Sequence, residues 1–132
     1  MFATESVKIV GDISRFKNNA DFKSYGLIKN NQVMYEKDFH FNNEDEINQI
    51  RNELKRPAVN QTFTINGEKY IIQAQDLLLN FMWAKLANGE KGTLYIRSSN
   101  DYKSIFIAHD PHEFYVGTYD KYIEFTNDIL TY

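Results

Sequence analysis

From Thr62 to Ala108 the chain runs in short apolar-alternating segments, each closed by a turn signal. The stretch FTINGEKYIIQAQ, Phe63 to Gln75, is the sharpest of them: alternation, an Asn66-Gly67 pair, then alternation again. Asn-Gly supplies the positive φ that a two-residue hairpin turn requires. Antiparallel strands are predicted at 62–66, 68–75, 80–87, 92–98 and 103–109, with turns at Asn66-Gly67, Asn88–Gly92 and Ser98–Asp101. So many consecutive strands make a sheet whose apolar side must be covered, and the rest of the chain has to supply the cover.

The remaining segments carry helical or hairpin signals. Residues 4–17 are predicted to form a short helix, with Thr4 as N-cap and Ile9, Ile13 and Phe16 on one side; Gly11 weakens it, and a strand at VKIV competes. FKSYGLIK and QVMYEK flank Asn30-Asn31 and predict a hairpin. NNEDEINQIRNELKRP predicts a helix capped by Asn43, with Glu46 placed for a capping box and Ile47, Ile50 and Leu54 as its apolar stripe. Pro57 stops it, and its acidic start and basic end complement the helix dipole. The tail from Thr118 to Tyr132 returns to helical spacing. Tyr119, Tyr122, Ile123, Thr126 and Leu130 share one side, and Tyr122, Phe125, Ile129 and Tyr132 form an adjacent aromatic row.

Composition narrows the classes. The chain has 132 residues, which suits a single domain spanning 1–132. Fifteen basic against 18 acidic residues give a net charge of -3, with no bulk signal for nucleic acid. There is no cysteine, which excludes a disulfide scaffold, thiolate zinc sites and a cysteine nucleophile. No apolar run reaches the roughly 20 residues that span a bilayer. MFATESVKIV lacks the charged start and long apolar stretch of a signal peptide, so a cytoplasmic protein is expected.

Strand alternation sorts the sheet into two faces. Met82, Ala84, Leu86, Leu94 and Ile96 make the predicted core face, given a register that pairs residue 85 with 95. Phe81, Trp83, Lys85, Thr93, Tyr95 and Arg97 make the other, with Lys69 and Gln73 extending it; Ile71 also points that way. Aromatic rings mixed with long cations suit a binding surface, since Trp, Tyr and Arg dominate interaction hot spots. The competing reading is that the C-terminal helix covers these aromatics.

Catalytic signatures are sparse. The sequence contains no phosphate loop, dinucleotide fingerprint, nucleophile elbow or EF-hand pattern. His109-Asp110-Pro111-His112 is the one metal-like cluster, with His40 as a distant third ligand. Pro111 argues against a helix that would align the two imidazoles, so an exposed loop without metal is expected, and no cofactor or enzymatic activity is implied.

The order of these elements resembles that of the profilins, small proteins that bind actin monomers. The resemblance spans nearly the whole chain. It is carried by SYGLIKNNQVMYEK, DFHFNNEDEINQIRNEL, the Gly-x-Lys-Tyr turn in FTINGEKYIIQ, GTLYIRSSNDYKSIFIAH and a closing helix that ends in tyrosine. The Lys- and Asn-rich sequence is similar to the profilins of Asgard archaea. The resemblance implies an α+β fold: a central twisted antiparallel sheet, N- and C-terminal helices on one face, and another helix on the opposite face. It implies an actin-monomer-binding surface at Lys69, Gln73, Trp83, Lys85, Tyr95, Arg97, His112 and Lys121. It also implies competition by phosphoinositide headgroups for the same cations, and a monomeric state. Profilins usually grip proline-rich segments with an N-terminal tryptophan, but here Phe2 is the only aromatic before Phe16. Phe2, Tyr122, Phe125 and Tyr132 are what remains for such a site, so weak or absent polyproline binding is expected. The link from His109 to Val116 is also longer than usual for the family. A longin- or roadblock-like adaptor, which would bind small GTPases or its own copy through a similar sheet, is the alternative.

Overall fold

The computed structural model describes residues 21–130; the predicted helix over 4–17, Phe2 and Tyr132 lie outside them. The described elements are β1 (Ser24–Lys29), β2 (Gln32–Lys37), α1 (Glu44–Leu54), β3 (Thr62–Ile65), β4 (Glu68–Asp76), β5 (Phe81–Leu86), β6 (Thr93–Ser98), β7 (Ile105–Asp110) and α2 (Val116–Ile129). The strands form one antiparallel sheet in the order β2-β1-β7-β6-β5-β4-β3. The chain thus lays down one hairpin, crosses over through α1, and returns as a meander whose last strand docks beside β1.

Turn chemistry places the hairpins as expected. Asn30 and Asn31 both take positive φ, 52° and 65°, as do Asn66 and Gly67 at 54° and 78°. Asparagine and glycine adopt this left-handed backbone at little cost, and its twist matches that of the flanking strands.

α1 starts where the Asn43 side chain accepts the Asp45 N–H at 2.8 Å. Its buried stripe of Ile47, Ile50 and Leu54 packs on Ile72, Met82, Ala84, Leu94 and Ile96. Truncating a fully buried side chain such as Ile50 to alanine costs about 2–5 kcal/mol. Gln75 closes the other end: its Nε2 donates to the Glu53 and Arg56 carbonyls at 2.8 and 3.1 Å, and its Oε1 accepts the Ala58 N–H at 2.6 Å. Gln75 reaches this face because the β4–β5 register shifts between Ile72 and Ala74, where Gln73 is the extra residue.

Part of the opposite face is covered by α2, whose Tyr122 and Ile129 pack with Tyr25, Leu27, Phe81, Tyr95, Phe106 and Ala108. The Tyr122 hydroxyl donates to the Phe106 carbonyl beneath it. At the helix end, buried Lys29 donates to the Ile129 carbonyl at 3.2 Å, a cation set against the negative pole of the helix. One sequence expectation fails on register. Lys85 pairs with Thr93, not Tyr95, and Trp83 takes Tyr95. The slip is two residues, and side chains repeat every two, so the predicted faces survive it.

Candidate functional site

α2 does not cover the whole outer face of the sheet. It packs over β1, β7 and β6 and leaves much of β3, β4 and β5 open to solvent. On this open half, Thr62 and Thr64 of β3 are exposed, Lys69 of β4 and Lys85 of β5 are exposed, and Ile71, Gln73 and Trp83 are half-buried. The register makes them neighbours: Thr64 faces Lys69, Thr62 faces Ile71, Ile71 faces Lys85, and Ala74 faces Trp83. The surface therefore gathers Lys69, Trp83 and Lys85 on the face that the alternation predicts, while Gln73 is the unpaired, half-buried residue of the β4 irregularity. Lys69 at the hairpin mouth is exposed, and among the described residues no helix covers its face of β4.

The connection from β7 to α2 continues this surface. Phe114 stacks on Trp83 with ring centroids 4.3 Å apart and planes at 18°. Phe114, Tyr115 and Val116 are 36%, 65% and 59% exposed, so the connection beside Trp83 presents apolar side chains to solvent. A depression of about 490 Å³ runs beside it, lined by Trp83, Lys85, Lys91, Thr93, Glu113 and Phe114. Gly117 lets the Tyr115 ring fold back over the start of α2, since a Cβ there would lie 2.6 Å from that ring.

His112 belongs to the same surface. Its backbone N–H donates to Asp110 Oδ1 at 2.9 Å, and its Nδ1 lies 2.7 Å from the same oxygen. A carboxylate only accepts, so the proton sits on Nδ1 and leaves Nε2 facing outward. The Asp110 side chain is 2% exposed and that of His112 is 72% exposed. His109 instead points to the α1 side, opposite Leu94, where burial holds its imidazole below the usual pKa. The two imidazoles thus diverge, and among the described residues no group of three His, Asp or Glu side chains converges on a point.

Three predicted surface residues need correction. Tyr95 is fully buried beneath α2; its hydroxyl, sealed from water, faces the Tyr115 main chain without a well-formed hydrogen bond. Arg97 is bound to α2, donating to Thr126 Oγ1, Asn127 Oδ1 and the Ile123 carbonyl. The competing reading, aromatics covered by the C-terminal helix, therefore holds for the β6 end of this face, where Phe81 is buried too. Lys121 is exposed but points to the far flank of α2, where it pairs with Asp21 at 3.1 Å. Tyr119, two residues earlier and so on the opposite side of the helix, is the one that meets Phe81 and Phe114.

The aromatic row proposed for proline-rich segments is also altered. Tyr122 is fully buried and bonded to Phe106, and Phe125 is half-buried with its ring 5.2 Å from that of Phe106. The predicted contact set left out Phe114, Tyr115 and Val116; sequence marks Phe114 and Tyr115 only as aromatics by which an exposed link packs onto the fold, as Phe114 does on Trp83. Their run of consecutive apolar side chains, with neither strand nor helix spacing, was the available signal.

No sequence-family model matches the chain, and no curated protein sequence does. The fold does have solved counterparts. The crystal structure of LokiProfilin1 superposes with a TM-score of 0.74 at 16% identity, over 93% of this chain and 95% of that one. The LokiProfilin1/rabbit actin complex matches with a TM-score of 0.72 at 14% identity, over 93% of this chain and 94% of that one. The chain has the profilin-like α+β fold, with α1 and α2 on opposite faces of the sheet.

Proposed function

We propose that this protein binds actin monomers through the open half of its outer sheet face and the β7–α2 connection. One observation carries the reading: a fold shared with a profilin solved on actin leaves uncovered the half-face where Lys69, Lys85, Trp83, Phe114 and His112 meet. The stacked rings would supply apolar burial at the centre of the contact. Lys69 and Lys85 at its edge would meet carboxylates, contributing orientation and on-rate more than affinity. The action is stoichiometric rather than catalytic: a monomer held on this face is withheld from one end of the filament. The protein acts as a single-domain monomer in the cytoplasm.

Two finer features belong to the same proposal. Phosphoinositide headgroups compete for Lys69 and Lys85, an attraction that salt weakens because both are exposed. Polyproline binding is weak or absent, which the burial of Tyr122 supports.

The test is spontaneous actin assembly followed by fluorescence with increasing protein. Dose-dependent slowing is expected, and Lys85→Glu should weaken it while leaving the fold unchanged. Normal assembly of the source organism's own actin at saturating protein would overturn the reading.

A further inference from the structure

The β7–α2 connection is held by a short set of hydrogen bonds that the proposed contact does not itself use. Thr93 and Asp110 face each other across β6 and β7, and both are buried. Asp110 Oδ1 takes the His112 N–H and the His112 Nδ1, and Thr93 Oγ1 donates to the His112 carbonyl at 2.9 Å. Three bonds therefore fix His112 from both sides of its backbone and through its ring. Two residues later Phe114 lies flat on Trp83. Between them stands only Glu113, which is exposed.

We infer that Asp110 is a positioning residue: with Thr93 it latches His112, and the latch sets Phe114 against Trp83 in the shape a partner meets. This rests on the actin-binding reading for its partner but not for its geometry. A latched connection presents its ring and its outward Nε2 already ordered, so binding does not have to fix them. Without the latch, residues 111–115 are held between their ends only by the ring contacts of Phe114, and part of the ordering of that ring is left to the partner's arrival.

Trp83 is the chain's single tryptophan, so its emission reports the Phe114 stack with no partner present. The experiment compares the wild-type chain with Asp110→Ala, Asp110→Asn and Thr93→Val, each checked for fold by circular dichroism. Trp83 emission, acrylamide quenching and affinity for actin monomers are measured on all four. Asp110→Ala should raise quenching, shift emission to the red and weaken actin binding about tenfold, the effect of losing one to two net hydrogen bonds. Asp110→Asn keeps an oxygen for the His112 N–H and should recover part of each change. Thr93→Val keeps the side-chain shape, cuts the third bond, and stands in if Asp110→Ala does not fold. Wild-type quenching in the folded variants would overturn the latch. Raised quenching with wild-type actin affinity would overturn its positioning role. If the wild-type chain itself ignores actin, the binding proposal fails, and the Trp83 signal alone decides whether the latch holds.

Discussion

Arg97 and Asn127 are joined at 2.7 Å, from Nη1 on β6 to Oδ1 on α2. The same guanidinium donates to Thr126 Oγ1 at 3.1 Å and to the Ile123 carbonyl at 3.3 Å, and its Nε donates to the Leu79 carbonyl at 3.0 Å. One side chain thus ties the turn before β5, the strand β6 and the helix. Replacing it should cost stability rather than affinity. Arg97→Ala is expected to lower the unfolding free energy by about 2–3 kcal/mol, the scale of a charged donor leaving several acceptors unpaired. Urea unfolding measures this; a wild-type midpoint would mean that α2 docks without the guanidinium.

The binding energy should concentrate on the opposite end of the face. Trp83→Ala removes the platform for Phe114 and is expected to weaken actin binding by at least about 2 kcal/mol, the scale of a hot-spot aromatic. Lys85→Glu should act mainly on the association rate and on its salt dependence. Lys121→Ala should leave affinity nearly unchanged, because Lys121 lies on the far flank of α2 with Asp21. Titration of actin monomers against the three variants orders them. Equal losses at Lys85 and Lys121 would move the contact onto the helix flank.

Sequence made the sheet legible because its signals are local. Alternation at Met82, Ala84 and Leu86 and the turns at Asn30-Asn31 and Asn66-Gly67 need only neighbouring residues to act. The α1 cap and stripe are local in the same sense. What failed depended on which half of a face a distant helix covers. Phe81, Trp83 and Lys85 alternate identically, yet Phe81 lies under α2 and Lys85 in solvent. Tyr95 and Tyr122, both read as contact aromatics, are held against each other with centroids 5.4 Å apart. The β4 irregularity was equally hidden, since one extra residue at Gln73 turns Gln75 to the α1 side without altering composition.

Glu53 gives a stability prediction of opposite sign to Arg97. Its side chain is buried among the α1 contacts, with Oε1 accepting Gln49 Nε2 at 3.2 Å and Oε2 sealed without a partner. Burial holds its pKa above the usual carboxylate value, against the opposing pull of the Gln49 bond and the Arg56 charge. The folded state therefore keeps this proton to higher pH than the unfolded chain does. Stability from this group is greatest in acid and falls as pH rises from the ordinary carboxylate value through the raised folded one. Glu53→Gln should raise the melting temperature at neutral pH, by an amount that shrinks as the pH is lowered. A gain independent of pH would assign the effect to shape instead of charge.

The buried tyrosines set the alkaline limit. Tyr25, Tyr70 and Tyr95 are each pushed up to about 12 by burial, and Tyr122 is raised well above its ordinary value for the same reason. An unfolded tyrosine ionises near 10.0, so above that pH the unfolded chain gives up protons that the folded protein retains. Their contribution is complete below about pH 10 and drains away as pH rises toward about 12. Tyr122 strengthens the effect, because its ionisation would also remove the proton it donates to the Phe106 carbonyl. Tyrosinate absorbance and circular dichroism recorded together across this range should show the last tyrosines ionising in step with loss of the fold. Complete ionisation with the sheet signal intact would mean that water reaches the space beneath α2, and that the packing of Tyr95 and Tyr122 there is looser than their burial implies.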